Sequence, residues 1–273
     1  FQSIIAEKGN AGGSAFKFPN TVYNAAGGYL SICAGIKGYN VTVTNGAQSG
    51  LQSVAYAMQV IRNGWEDAML ATGTDENSEI ISELYGKLGL TAGEKVRPYA
   101  GKNVFSLSDG SVSALLETVD SAKARGAEIL CRVTGYGMAH ASVPFGKVTE
   151  AVEAALADAN MNACDIDAVF GFANGHQALD GIETEGLAKV FDLSRVPVIS
   201  VKERAGEGRA ASAALGLAHA ALLLHGDLAG EPDAYRKAAG GMEKVGVKSA
   251  ALSRILVVSF AAGGSYAAVV LEK

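Results

Sequence analysis

The sequence predicts an α/β sandwich whose sheets are buried on both faces, and three observations carry that reading. Short β-branched or apolar runs alternate with stretches of helical spacing, the order expected when helices cover a sheet. About half of the 273 residues are apolar (49%) and only 19% are charged, so the chain has material for a large core in one or two domains. The chain also echoes itself. Residues 105–117 and 260–272 have the same length, each with a Gly-Ser turn and an apolar run closing on Leu-Glu. Residues 41–64 and 198–226 are each a strand, a small-residue turn and a long helix stopped by glycine. Two fused copies of one unit leave such a pattern, and the halves are placed at residues 1–136 and 137–273.

Taken in order, residues 1–20 are Gly- and Ser-rich without a period and read as a loop. Residues 23–36 read as a weak helix, broken or closely packed at Gly27-Gly28. Val41 to Thr44 is β-branched and reads as a strand. It passes through Asn45 and Gly46 into Leu51, Val54, Ala55, Met58 and Ile61, an apolar stripe at helical spacing that stops at Asn63-Gly64. Residues 68–72 read as a short buried strand and residues 76–88 as a helix. Phe105 to Glu117 reads as two strands joined across Asp109-Gly110, a strong hairpin signal. A short helix follows at 120–125, a strand at 128–136 and a helix at 148–159. Residues 168–172 and 196–201 read as strands, and 181–191 as the helix between them. Residues 207–225 form a long Ala- and Leu-rich helix ending at Gly226. The polar stretch 227–253 predicts a short helix near Tyr235, and two strands at 255–260 and 266–271 flank Gly263-Gly264.

Composition narrows the function. A formal charge of −5 argues against nucleic acid. Cys33, Cys131 and Cys164 show no metal-ligand spacing and predict buried free thiols in a reducing cytoplasm. No apolar run has membrane-spanning length, no signal-peptide pattern is present, and no cofactor motif appears. The chain opens at Phe1 without a methionine, which fits a fragment.

The turn at Asn45-Gly46-Ala47-Gln48 is the chemical centre. A strand running straight into a helix presents its tip residue to four free N–H groups and to the positive end of the helix dipole. A cysteine there would have a lowered pKa and an oxyanion site beside it. The tip residue is Ala47.

At these residues the chain resembles the β-ketoacyl synthases of the thiolase fold, from about Phe16 to the end. Phe18-Pro-Asn and Ala26-Gly-Gly-Tyr-Leu are similar to that family's approach to its elbow, and residues 38–50 to the elbow itself. Arg97-Pro-Tyr with Asp109-Gly110 and Leu116-Glu117 is similar to the family's RPF…EG…LE block. Ala122-Lys-Ala-Arg-Gly-Ala127 and Gly135-Tyr-Gly137 match its AxxRGA and GYG motifs. The resemblance implies a pseudo-duplicated, layered α-β-α-β-α sandwich lacking its N-terminal opening strands, which a separate N-terminal fragment could supply.

The departures point away from ordinary catalysis. The family's cysteine falls on Ala47, the histidine of its AHG motif on Asn174, and the second histidine on Glu207. The gatekeeper phenylalanine falls on Ala262. Asp180 and Glu183 match the family's DxxE after a two-residue shortening, and Lys202 with Glu183 is expected as a buried ion pair. Ala47 alone would also fit an engineered knockout, but Asn174 and Glu207 argue against that. Gln48 lies one residue past the cysteine position, where decarboxylating and chain-length-factor relatives carry glutamine at the position itself. His176 lies two residues past Asn174, either swung into the vacated place or on the surface. His219 and His225 read as packing or helix-end residues, and His140 as a loop residue without a role.

These features imply a non-catalytic subunit of the chain-length-factor type in a β-ketoacyl-[acyl carrier protein] synthase complex. Its partners would be an active ketosynthase, in a heterodimer, and acyl carrier protein, in type II polyketide or polyene biosynthesis, a pathway chemically akin to fatty acid biosynthesis. Two alternatives stay open. The chain could be an active-site-modified decarboxylase or acyl transferase using Gln48, His176 or Glu207, or a scaffold without a pocket.

Overall fold

Apolar periodicity and glycine stops decide where the helices of this protein begin and end. The computed structural model describes residues 2–91, 95–141, 146–228, 231–261 and 263–273. Its contacts divide into two units, Phe1–Thr44 and Asn45–Lys273.

In the first unit, the opening residues are helical rather than loop. Helix α1 (Gln2–Lys8) is followed by 3-10 turns at Gly9–Gly12 and Phe18–Thr21. Helix α2 (Ala25–Ala34) ends at Gly35, whose φ of 65° is a left-handed cap that a side chain would strain. Gly28 does not break it. The expected strand at residues 41–44 makes no ladder among the described residues. β-Branched propensity describes fit to a sheet and makes no strand without a neighbouring edge. Asn40, just before it, instead turns back to the helix, its Nδ2 donating to Gly27 O at 3.2 Å and Ser31 Oγ at 3.3 Å.

In the second unit, a 3-10 turn (Gly46–Gln48) runs directly into helix α3 (Ser49–Arg62). Strand β1 (Ala68–Asp75), helix α4 (Glu79–Lys87), strand β2 (Gly110–Glu117), helix α5 (Val119–Ala124) and strand β3 (Arg132–His140) follow. Next come α6 (Val148–Asp158), β4 (Ala168–Phe170), α7 (Gln177–Ala188), β5 (Val198–Ser200), α8 (Lys202–Ala205) and α9 (Ala210–His225). The chain closes with β6 (Asp233–Ala238), β7 (Gly241–Val245), β8 (Arg254–Ala261) and β9 (Ser265–Glu272). The division between halves that the sequence places at residue 136 falls inside β3.

Seven strands form one mixed sheet in the order β3-β9-β8-β4-β5-β6-β7. At its centre β4 runs parallel to both β8 and β5, and the outer pairings are antiparallel. Alternate residues of each central strand feed opposite layers. Ile255 and Val257 of β8 pack with Leu51 and Val54 of α3 and with Leu217 and Leu223 of α9. Leu256 and Val258 pack with Val148, Ala151 and Val152 of α6 and with Leu187 of α7. Burial on both faces explains why β8 reads as a continuous apolar run.

Several local expectations are corrected. Phe105 to Glu117 is not a hairpin. Only β2 is a strand, and it pairs antiparallel with β1, Ala68 opposite Glu117 and Asp75 opposite Gly110. Upstream, Leu107 makes an isolated parallel bridge to Glu207. β1 is largely accessible, with Ala71 and Gly73 its buried members. The segment around Tyr235 is the β6–β7 hairpin at the sheet edge rather than a helix. Cys33 and Cys164 are exposed, and Cys131 is half-buried, its thiol pushed up to about 11 by desolvation. Among the described residues no helix is long and apolar enough to cross a membrane.

Candidate functional site

Parallel strands direct their carboxyl ends to one edge of a sheet, where the segments leaving them are free to carry chemistry. β4 and β5 leave that edge into residues 171–176 and 201–209, which contain Asn174, Lys202 and Glu207. The turn carrying Ala47 packs against β8 of the same sheet and against α9. Ser259 Oγ of β8 donates to the Ala47 carbonyl at 3.5 Å. Helix α3 reaches this place because Gly50 lets it approach α9, where a Cβ would stand 2.3 Å from Ala210 O. Phe172, Phe260 and Tyr266 form an aromatic row through the same core, with ring centroids 4.4 Å and 5.4 Å apart.

The acidic residues hold backbone in place. Tyr99, Ala173 and Arg209 all have positive φ (58°, 40° and 50°), a conformation costing about 1–3 kcal/mol each for a residue with a side chain. Each gives its N–H to a carboxylate: Tyr99 to Asp180 at 2.7 Å, Ala173 to Glu183 at 2.9 Å, Arg209 to Glu207 at 2.6 Å. Glu183 also accepts from Phe172 N–H and from the Tyr99 hydroxyl. Arg209 is clamped further by Asp75.

The expected Lys202–Glu183 pair is replaced by another. Lys202 Nζ lies 2.6 Å from Glu207 Oε2, with both side chains buried, and 3.7 Å from the centroid of the Phe172 ring. Glu207 follows α8 directly through Gly206, a reach of five residues, whereas Glu183 is already saturated by donors from residues 172, 173 and 99. Glu207 therefore has one oxygen on an ammonium and the other on an N–H, so both of its oxygens are engaged in holding the structure. Asn174 is buried, with Oδ1 accepting from His176 N–H at 3.0 Å, an Asx turn that shapes the loop into α7.

His176 precedes α7 and lines an open cleft of about 500 Å³ with Asn103, Gln177, Gly181, Ile182 and Glu185, away from the residues beside Ala47. His219 packs against Phe170, and burial lowers its pKa. His225, at the end of α9, faces Glu128 and Asp227. Ala262 lies outside the described residues. Among the described residues no cluster of three or more His, Cys, Asp or Glu is arranged for a metal.

His140 is where sequence reasoning fell short. It ends β3, and its Nδ1 lies 3.3 Å from Ser265 Oγ, which donates to Asn45 Oδ1 at 3.0 Å. Asn45 and Gln48 both donate to Gln52 Oε1, at 3.1 Å and 3.0 Å. These side chains line a cavity of about 400 Å³ with Met138, Ala139 and Tyr266. The position of His140 three residues past Gly137 of the Gly135-Tyr-Gly137 motif is the available signal, but the pairing of β3 with β9 that brings it to Ser265 is not local in sequence.

Burial pushes the Asp180 carboxyl up to about 7, against the pull of the N–H groups of Tyr99 and Gly175. Burial raises Glu183 as well. An acid with a raised pKa holds its proton more tightly in the folded state, so its contribution to stability is greatest at low pH and falls as pH rises through the folded value. Acids shifted the other way, such as Glu117 and Asp233, act below their ordinary range, whereas His219, lowered by burial, destabilises the fold as pH falls below its ordinary value and so opposes the two raised acids. With Asp180 the larger effect, the unfolding free energy from urea titration is expected to be lower at pH 8 than at pH 5, by about 1–3 kcal/mol. Asp180→Asn, although less stable at both, should show a flatter pH dependence. An unchanged slope in that variant would remove Asp180 as the cause.

The fold is shared with solved ketosynthase structures. A β-ketoacyl synthase from Burkholderia phymatum STM815 superposes with a TM-score of 0.86 at 22% identity, covering 100% of this chain and 71% of that one. A structure described as the ishigamide ketosynthase/chain length factor gives 0.84 at 20% identity, covering 100% and 70%. Both show a thiolase-like α/β fold. Sequence models of the family match twice: the β-ketoacyl synthase N-terminal domain over residues 3–122 and the C-terminal domain over residues 128–230. The chain belongs to the β-ketoacyl synthase family. It is 29% identical over 226 residues to 3-oxoacyl-[acyl-carrier-protein] synthase 2 of Vibrio harveyi, covering 75% of this chain and 54% of that protein. It is 32% identical over 182 residues to nodulation protein E of Rhizobium sp. (strain N33), covering 63% and 45%. The chain thus spans about half the length of the curated relatives it matches.

Proposed function

We propose that this chain is a non-catalytic ketosynthase-like subunit of the chain-length-factor type. It pairs with an active ketosynthase in the cytoplasm, shapes the acyl tunnel and serves type II polyketide or polyene synthesis on acyl carrier protein. The observation that carries the reading is the use made of the three positions matched to the family's reactive residues. Ala47 offers no nucleophile. Asn174 Oδ1 holds a turn, and both Glu207 oxygens are engaged by Lys202 and Arg209. The aromatic row and the cavity beside Gln48 remain, which is the frame of an acyl site without its chemistry. Two structural neighbours support the same direction by their descriptions, one as a ketosynthase/chain length factor and one as a type II PKS acyl-carrier protein in complex with its ketosynthase.

The test uses the isolated chain and the chain co-expressed with an intact ketosynthase from the same organism. Intact-mass spectrometry after exposure to an activated acyl thioester is expected to show no adduct on the isolated chain, and light scattering should show a heterodimer in the co-expressed sample. A stoichiometric adduct on Cys33, Cys131 or Cys164 that turns over would refute the silent-subunit reading. Release of CO₂ from malonyl carrier protein by the isolated chain would favour a decarboxylase.

A further inference from the structure

Of the Asp, Glu, Lys and Arg side chains among the described residues, four are buried: Asp180, Glu183, Lys202 and Glu207. Glu207 already takes the one ammonium, at 2.6 Å from Lys202 Nζ. Asp180 and Glu183 are left in the core on neutral donors alone. Glu183 has three, the N–H groups of Phe172 and Ala173 and the Tyr99 hydroxyl. Asp180 has two, Tyr99 N–H on Oδ2 at 2.7 Å and Gly175 N–H on Oδ1 at 3.3 Å. Desolvation penalises the ionised form of such a group, so the carboxyl with fewer donors takes up a proton, on the weakly bonded Oδ1. Burial pushing Asp180 up to about 7 agrees with that assignment.

Both carboxyls close on one irregular segment. Residues 97–103 form no helix or strand, and Arg97 N–H donates to Val104 O across their base at 3.2 Å. Val104 is pinned in turn. Its N–H lies on Gly175 O at 2.8 Å, and a Cβ on Gly175 would stand 2.2 Å from its carbonyl oxygen. Between these points the segment is held by Tyr99 on Asp180 and Glu183, and by Asn103 Oδ1, which accepts from Gln177 N–H at 3.0 Å. Tyr99 keeps its positive φ of 58° under that clamp, so the segment relaxes when the clamp loosens.

We propose that residues 97–103 form a pH-governed strap over the loop 171–176, fastened while Asp180 holds a proton and loosened when it gives the proton up. Opening the strap hydrates Asp180 without unfolding the sheet beneath, so the cost of ionisation is relieved locally. The groups bearing on Asp180 are Glu183 of α7, Tyr99 of the strap, Lys202 of α8 with its partner Glu207, and Tyr235 of β6 with its partner Glu203. Glu183 opposes ionisation of Asp180 and Lys202 favours it, while both tyrosines are raised and stay neutral. His176, four residues before Asp180, is the group a test has to separate from it. The inference stands apart from the silent-subunit reading.

Amide exchange of the full chain, followed residue by residue by NMR and corrected for the intrinsic rate, tests the strap at about pH 6 and about pH 8.5. Tyr99 and Gly175 are expected to be at least about 10-fold less protected than the amides of β8 and β9, because a partial opening frees them. Their protection should fall about 10–30-fold between the lower and the higher pH, since the closed form carries the ionisation penalty and the open form does not. Asp180→Asn, checked for folding by circular dichroism, should hold the Tyr99 value within about two-fold across that range, whereas His176→Gln should keep the fall. Protection of Tyr99 equal to that of β8 and β9 would overturn the strap, since the segment would then open only with the whole fold. A Tyr99 value that does not change with pH in the unmodified chain would overturn the role of Asp180, as would a fall that persists in Asp180→Asn or vanishes in His176→Gln. If Asp180→Asn does not fold, the two measurements on the unmodified chain and the His176 variant decide.

Discussion

Ala47→Cys is expected to leave condensation of acyl and malonyl carrier proteins roughly 10³-fold or more below the rate of an intact ketosynthase. The new thiol would stand in the turn Gly46–Gln48, beside the positive end of the α3 dipole, so a lowered pKa and fast alkylation are expected. A reactive thiol is one member of a set. The set also needs groups to handle the proton and the enolate charge, and here the matched places are Asn174, tied to His176, and Glu207, tied to Lys202 and Arg209. Members of such a set are strongly non-additive, and restoring one returns little of the whole. Product analysis by mass spectrometry with loaded carrier proteins would decide. A rate near that of an intact synthase would show that Ala47 has been matched to the wrong position or that other residues supply the missing steps.

Lys202→Ala should produce the largest loss of stability among single changes at the site, about 3–5 kcal/mol. The change leaves Glu207 as a buried anion with only the Arg209 N–H for company, and it removes the ammonium from the Phe172 face. For a chain of this size that corresponds to a melting-point decrease of roughly 6–20 °C. The double variant Lys202→Met with Glu207→Leu is expected to be more stable than either single charge removal, because it strands neither charge. Denaturant titration of the three variants tests this. If Lys202→Ala unfolds at the wild-type midpoint, the pair contributes nothing and the account of Glu207 as a fully engaged residue fails.

Legibility in the sequence followed how local the determining forces are. Helices α3, α6 and α9 could be read because apolar spacing and a glycine or asparagine stop lie within each segment. β8 and β9 could be read because burial on both faces leaves an unbroken apolar run. The β6–β7 hairpin could not, since it sits at the sheet edge and carries Arg236, Lys237, Glu243 and Lys244 among few apolar residues. Asp109-Gly110 misled because no turn forms there: Gly110 opens β2, which finds β1, some 40 residues away, rather than residues 105–108. At the site, motif matching singles out Ala47, Asn174 and Glu207, and the structure puts Glu207 rather than Glu183 on Lys202. Glu183 and Glu207 are both carboxylates near that lysine in sequence pattern, and only the backbone donors crowding Glu183 separate them. The polar chain from His140 to Gln48 joins residues from three separate segments, and no sequence motif marks it.

The pairing of β3 with β9 has a consequence during synthesis. Arg132 lies opposite Glu272, so 140 positions of chain separate the two residues. At about 5–20 residues per second, β3 waits on the order of ten seconds for its neighbour to leave the ribosome. Throughout that interval Val133, Tyr136 and Met138 belong to an unpaired edge in a growing chain. Helix α6 can cover one face early, since Gly135 and Gly137 admit it to within contact of the strand backbone, but it cannot satisfy the strand's open hydrogen bonds. Recruitment of a chaperone to the nascent chain should therefore begin once β3 emerges and end when β9 docks.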